Sequence, residues 1–192
     1  MNAQLDPNFS SLKGHFLIAT PVINEGFFCR SLTYMCEHNA SGAMGIVVNQ
    51  VLDMDLSGVL AHLKIESLPQ IKNKTAILAG GPVQMDHGFI LHCGEPKWTE
   101  SNKITEHVCL TSSKDILFDI ALGEGPSEYL MALGYAGWGA GQLEAEMIHN
   151  SWLSVEADSD ILFGHSPAER LSAAGRRLGI DVDLLSSESG HA

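Results

Sequence analysis

The chain has 192 residues, 23 acidic against 11 basic side chains for a formal charge of −12, and 45% hydrophobic content. A chain of this length buries roughly 70% of the surface its unfolded form exposes, so a core forms without help from a metal or disulfide. No apolar run approaches the roughly eighteen residues of a membrane span, and Met1–Gly14 lacks a basic head followed by an apolar run; a cytoplasmic protein with no membrane contact is expected.

Residues 1–12 read as an N-terminal arm that docks through Leu5, Phe9 and Leu12. With no internal repeat or linker, residues 1–192 read as one domain. Gly14–Thr20 is a short apolar run closed by Pro21, which predicts a buried strand. Ser31–His38 and Ala43–Asn49 flank the turn signal Asn39-Ala-Ser-Gly42 and predict a β-hairpin. Asp55 caps a short helix whose apolar stripe is Leu56, Val59, Leu60 and Leu63. Thr75–Ala79 and Gly88–Cys93 are two further strands around a Gly80-Gly81-Pro82 corner, followed by a strand at Ile104–Leu110. Ser112-x-x-Asp115 has the form of a capping box ahead of Ile116, Leu117 and Ile120. Tyr129–Gly134 is a strand that runs into four glycines (Gly134, Gly137, Gly139 and Gly141) and then a helix, and Trp152–Glu156 is a last short strand. Ser166-Pro167-Ala168-Glu169 starts a helix with buried Leu171, Ala174 and Leu178, which Gly179 stops. Six to eight strands without strict β-α-β alternation predict α+β with a mixed, largely antiparallel sheet.

Charge bounds the partners. Between Asp115 and Glu169 there are ten acids and no Lys or Arg. Such a surface repels phosphate backbones, so direct nucleic-acid contact is excluded, and a docking face for a basic partner is the functional alternative to plain solubility. Cys29, Cys36, Cys93 and Cys109 contain no C-x-x-C pair and read as reduced, core-filling thiols.

The chemistry-bearing residues are scattered. The glycine corner could let backbone N–H groups face a ligand, but its spacing fits neither a dinucleotide fingerprint nor a P-loop, and Glu144 and Glu146 would repel an anion. Glu146 and His149 have the spacing of a helical half-site, without the further carboxylates that a metal centre needs; no metal or cofactor is expected. Cys36 and His38 share a strand face about 6.6 Å apart, too far for direct activation, and His92 reads first as a satisfied core histidine.

Gly14-His-Phe-Leu-Ile-Ala-Thr-Pro21, Tyr34-Met-Cys-Glu-His38, Gly42-Ala-Met-Gly-Ile-Val-Val-Asn49, Gly80-Gly-Pro-Val-Gln84, Gly88-Phe-Ile-Leu-His92, Leu133-Gly-Tyr-Ala-Gly-Trp-Gly-Ala-Gly-Gln-Leu-Glu144 and Asn150-Ser-Trp-Leu153 together resemble the bacterial AlgH/YqgE family over nearly the whole chain. The resemblance implies a bifurcated sheet curled into a pseudo-barrel with flanking helices, and little about activity beyond a regulatory association. Two departures are visible: Asn49-Gln-Val51 stands where the family often has a basic residue and proline, and Arg170-Leu171 falls near a usual tryptophan.

Two function classes follow. The first is a non-enzymatic binding or regulatory module, a monomer or weak homo-oligomer whose partner is a protein or small molecule. It would use Arg30, Glu37, His38, Asn49, His92, Gln142 and Glu144 beside Gly137, Gly139 and Gly141. The second is a small-molecule enzyme or thiol redox-responsive protein built on His38, His92, Cys36 and Glu144. The expectation leans to the first, and both require these residues to meet in space.

Overall fold

The structure is a computed structural model that describes residues 10–68, 75–182 and 184. The strands are β1 (His15–Ala19), β2 (Leu32–Asn39), β3 (Gly42–Val47), β4 (Val51–Asp55), β5 (Ala76–Ala79), β6 (Val83–Cys93), β7 (Ser101–Lys103), β8 (Val108–Thr111), β9 (Tyr129–Gly139) and β10 (Trp152–Glu156). The helices are α1 (Leu56–His62), α2 (Asp115–Leu122), α3 (Gln142–Ile148) and α4 (Pro167–Arg177), with a π-helical turn at Asp160–Gly164. Among the described residues no helix is long and apolar enough to cross a membrane.

The main path of the sheet is β10-β1-β2-β3-β9-β6-β8-β7. Strand β9 is where it forks. Its residues Ala136–Gly139 pair antiparallel with β3, while Met131–Leu133 pair in parallel with Ile77–Ala79 of β5, which itself pairs with β4. Every other pairing is antiparallel, so the sheet is mixed, largely antiparallel and bifurcated, curled into a half-barrel.

Glycine makes the fork possible. Leaving β5, the chain crosses the backbone of β9 at contact distance: a Cβ on Gly81 would lie 1.9 Å from the Tyr135 carbonyl carbon, and one on Gly80 2.3 Å from the Gly134 oxygen. No side chain fits either place. Beyond the crossing, β6 loses register with β9. Val83 pairs with Tyr135 and Gly88 with Leu133, so the residues between bulge outward and are exposed.

Both faces of the sheet are covered, which is why β6 alternates between two cores rather than between core and solvent. Phe89 and Leu91 join a cluster with Phe16, Ile18, Leu32, Ile46, Leu162 and Leu171 under α4 and the π-helical turn. Ile90 joins Leu56, Leu60, Ile77, Ile116, Ile120 and Met131 under α1 and α2. Under α3 lies a third cluster of Leu17, Met35, Trp138, Leu143 and Trp152, against which Leu12 packs. Of the three anchors expected in the arm, Leu5 and Phe9 lie outside the described residues.

Local signals placed most elements. Asp55 accepts from the Gly58 N–H at 3.0 Å to cap α1, and both arms of the Ser166/Glu169 capping box are formed at α4. Three expectations are corrected. Ile104–Leu110 is not one strand, because Ile104 N–H donates to the Val108 carbonyl and the segment folds back as the β7–β8 turn. Ser112 does not cap α2; the helix starts after Lys114 with no side-chain cap, and the Asp115 carboxylate instead holds the Thr99 N–H. Leu178 is 38% exposed, and Arg170 is buried in its helix instead, donating to the Val48 carbonyl at 2.6 Å. With no carboxylate beside it among the described residues, burial alone lowers its pKa to about 10.

Candidate functional site

His38 lies near the end of β2 with its side chain 3% exposed. A backbone N–H can only donate, so the 2.9 Å contact from Leu12 N–H to Nδ1 makes that nitrogen an acceptor and leaves the proton on Nε2. Nε2–H then donates to Glu144 Oε1 at 3.1 Å, and the Ser11 hydroxyl donates to the His38 carbonyl at 2.8 Å. The ring fastens three segments together: the chain entering β1, the hairpin, and the first turn of α3. With both nitrogens engaged, it has no position left for abstracting a substrate proton.

The glycine corner spends its polar groups on itself in the same way. Strand β9 continues through Gly134, Gly137 and Gly139, and only Gly141, at φ +74°, forms the turn into α3. Gly139 N–H donates to Gln142 Oε1 at 3.1 Å, and Gln142 Nε2 donates to Glu146 Oε1 at 3.0 Å. The other Glu146 oxygen accepts both indole N–H groups, Trp138 at 2.9 Å and Trp152 at 2.8 Å. Phe28 stacks on Trp138 at 6.2 Å and meets the edge of Trp152 at 5.7 Å. Glu146 is thus an internal clamp, and His149 turns away to donate to the Ala145 carbonyl. Among the described residues no three His, Cys, Asp or Glu side chains lie close enough to hold a metal ion.

Arg30 and Asn49 sit at the opposite end of the hairpin. Arg30 has φ +54°, and its carbonyl accepts from Asn49 Nδ2 at 2.9 Å while Asn49 Oδ1 accepts from Leu32 N–H at 2.7 Å. From Leu32 to His38 is about 20 Å of extended strand. His92 is farther still, opposite Tyr129 at the far end of β9 from the hairpin. Its Nδ1–H donates to the Cys93 carbonyl at 3.0 Å, so Nε2 accepts from the Thr111 hydroxyl at 2.8 Å. Its ring meets the edge of Trp98, and burial pushes its pKa down, favouring the neutral ring. Cys36 lies in the core cluster on the other face from His92, with its thiol pushed far up in pKa by burial. The structure therefore brings together His38, Gln142, Glu144, Gly139 and Gly141, and separates from them Arg30 with Asn49, and His92.

Glu37 takes a different course from its neighbour. It pairs across the strands with Met44, and together with Gly137 these two line a cleft of about 680 Å³ at the mouth of the half-barrel. Met44, Phe89 and Tyr135 form an apolar floor; Gln84, His87 and Ser112 stand at the rim beside Glu37. The rings of His87 and Phe89 meet tilted at 5.0 Å, and those of Phe89 and Tyr135 meet edge to face at 5.6 Å. The hollow is shallow and open to solvent, and Asn39 and Ser41 add to the polar side chains that line it beside the apolar floor. Sequence reading passed over Gln84, His87 and Tyr135. The one available signal was the polar run after Gly80-Gly81-Pro82, which breaks the alternation of a paired strand.

Residues 16–183 match a family described as DUF179, AlgH-like. A UPF0301 protein of Thioalkalivibrio sulfidiphilus is 49% identical over 183 residues, covering 95% of this chain and 98% of that one. One from Pseudomonas fluorescens is 49% identical over 184 residues, with 95% and 97% covered. The solution structure of AlgH from Pseudomonas aeruginosa superposes with a TM-score of 0.79 at 45% identity, covering all of both chains. A crystal structure of a Corynebacterium diphtheriae protein, 18% identical, shares the fold at a TM-score of 0.73 over 96% of this chain and 95% of that one.

Proposed function

The chain belongs to the AlgH-like family, and from that premise we propose that it is a non-enzymatic binding module whose working surface is the cleft at the mouth of the half-barrel. The observation that carries this is the cleft itself, an amphipathic hollow in which Glu37 and His87 stand over an aromatic floor. Catalysis loses support from the same geometry. His38 and His92 each have both ring nitrogens engaged in holding the fold, and the Cys36 thiol is buried and held protonated. A regulatory role would be exercised through a bound protein or small molecule rather than through DNA, since the stretch from Asp115 to Glu169 carries ten acids and no Lys or Arg.

The test is to compare the wild-type protein with Met44→Trp, which fills the floor of the cleft while leaving the His38 and Glu146 networks intact. Immobilised wild-type protein is expected to retain a partner or metabolite from the cell extract that Met44→Trp does not. Equal retention by both proteins, or none by either, refutes the cleft as the working surface.

A further inference from the structure

A hollow of about 690 Å³ opens over strand β9 beside α1. Met131 and Leu133 of β9 line it together with Met54, Val59 and Leu63, and it is more enclosed than the mouth cleft. Val59, Leu63 and Leu133 also pack against the core cluster of Leu56, Ile90 and Ile116, so the hollow is an unfilled margin of that core. A mostly apolar concavity of this volume, with a few polar groups at its edge, is the form that small-ligand sites take.

Its polar edge is formed by His62 of α1, Asp86 and His87 in the β6 bulge, and Ser112 and Lys114 ahead of α2. Five other histidines, His15, His38, His92, His149 and His165, each have a ring nitrogen in a hydrogen bond. Among the described residues the rings of His62 and His87 make none, and the Lys114 ammonium has no hydrogen-bond or ion-pair partner. The Ser112 hydroxyl is committed to Glu100 at 2.8 Å, and Asp86 is the one carboxylate on the lining. On a chain of charge −12, three unengaged donors against one carboxylate make this hollow the place that an anion would meet least repulsion.

We infer that this hollow binds a medium-chain fatty carboxylate, with its alkyl chain on Met54, Val59, Leu63 and Leu133 and its carboxylate among Lys114, His62 and His87. A neutral imidazole still has one N–H to donate, so both histidines serve without being charged. One full positive charge, that of Lys114, matches one carboxylate better than a phosphate group carrying nearly two. The hollow shares His87 and Ser112 with the mouth cleft but not Met44, Phe89 or Tyr135, so binding here stands or falls independently of binding there.

The experiment is an amide NMR titration of the full chain with octanoate in about 150 mM NaCl, which screens diffuse attraction. Butanoate, octan-1-ol and n-octylammonium are run in parallel. Octanoate is expected to give saturable shifts at residues 58–63, 86–88 and 112–114 with a dissociation constant below about 1 mM. Butanoate, four methylenes shorter, should bind at least about tenfold more weakly, and octylammonium at least about threefold more weakly. Lys114 and Asp86 are both exposed, so their substitution should leave the fold intact. Lys114→Gln should weaken octanoate about threefold without changing octan-1-ol, and Asp86→Asn should tighten octanoate about twofold. Five results overturn the proposal: no saturable shift at these amides, octylammonium matching octanoate, octanoate indifferent to both substitutions, saturation centred instead on residues 42–44 and 135–137 of the mouth cleft, or the same amides moving when the ligand-free protein is diluted, which would show that a second copy covers the hollow.

Discussion

Replacing Glu146 by Ala should be among the most damaging changes on the surface of this protein. The side chain is only half-buried, yet its carboxylate accepts the N–H groups of Trp138 and Trp152, which are 7% and 3% exposed. Hydrogen bonds to a charged acceptor contribute about 1.5–3 kcal/mol each, and two would give about 3–6 kcal/mol. Solvent already reaches the carboxylate, and water entering the vacated space can satisfy one indole, so the expected loss is about 2–4 kcal/mol. For a chain of this size that lowers Tm by roughly 4–16 °C. Glu146→Gln keeps one acceptor oxygen and should lose about half as much. Urea unfolding followed by tryptophan fluorescence reads the effect, and a double-mutant cycle with Trp152→Phe isolates the shared term. The cycle should return a coupling of at least about 1 kcal/mol. If Glu146→Ala unfolds within about 0.5 kcal/mol of wild type, the indole clamp is not a stabilising element, and the account of the glycine corner fails with it.

Three further outcomes test separate parts of the structure. His38→Ala should free the segment entering β1, raising hydrogen exchange at the Leu12 amide by about tenfold or more; unchanged protection there would show that the ring does not hold it. His92 has a folded pKa below its unfolded value because of burial, so the unfolded state binds the extra proton first. Its contribution is present above the unfolded value and is lost as pH falls toward the folded one, at no more than about 1.4 kcal/mol per pH unit. Wild type should therefore lose more stability than His92→Gln between pH 7 and 5, and parallel profiles would contradict the assignment. Gly81→Ala places a methyl 1.9 Å from the Tyr135 carbonyl carbon and should cost at least about 3 kcal/mol, whereas Gly58→Ala in α1 meets only Asp55 Oδ1 at 3.8 Å and should be neutral or stabilising by up to about 1 kcal/mol. Equal effects, read from denaturation midpoints, would deny that β5 crosses β9 in contact.

Elements whose causes are local were legible in the sequence. The Ser166–Glu169 box starts α4 because its partners are three residues apart, and the hairpin turns at Ala40–Ser41 because Asn39 Oδ1 accepts from the Ser41 N–H. Elements whose causes lie in a distant partner were not. Nothing within Tyr129–Gly139 announces that one edge of this strand is shared by β3 and β5, and the glycines there were read as a loop because their close neighbours are encoded about fifty residues earlier, at Gly80 and Gly81. Polarity in Ile104–His107 was too brief to outweigh the apolar residues on either side. The candidate site divided for a related reason. Asn49, Gln142 and His92 were chosen for their hydrogen-bonding capacity, and the fold uses that capacity on its own backbone and side chains, which for the buried His92 is obligatory.

Glu37 and His38 show how that rule separates scaffold from surface. They are consecutive in one motif and equally able to carry chemistry, but a strand sends consecutive side chains to opposite faces. His38 turns toward α3, where an unpaired imidazole would be costly, and so both nitrogens are matched. Glu37 turns toward the cleft, where solvent can satisfy it and, among the described residues, only Asn39 Nδ2 holds one oxygen. A carboxylate left partly uncommitted above the apolar floor of Met44 and Tyr135 gains from any ligand that covers the floor and offers a donor. The residues to substitute in search of function are therefore those whose polar groups the fold leaves to solvent at the mouth, Glu37, Gln84 and His87, rather than the more conspicuous histidine beside them.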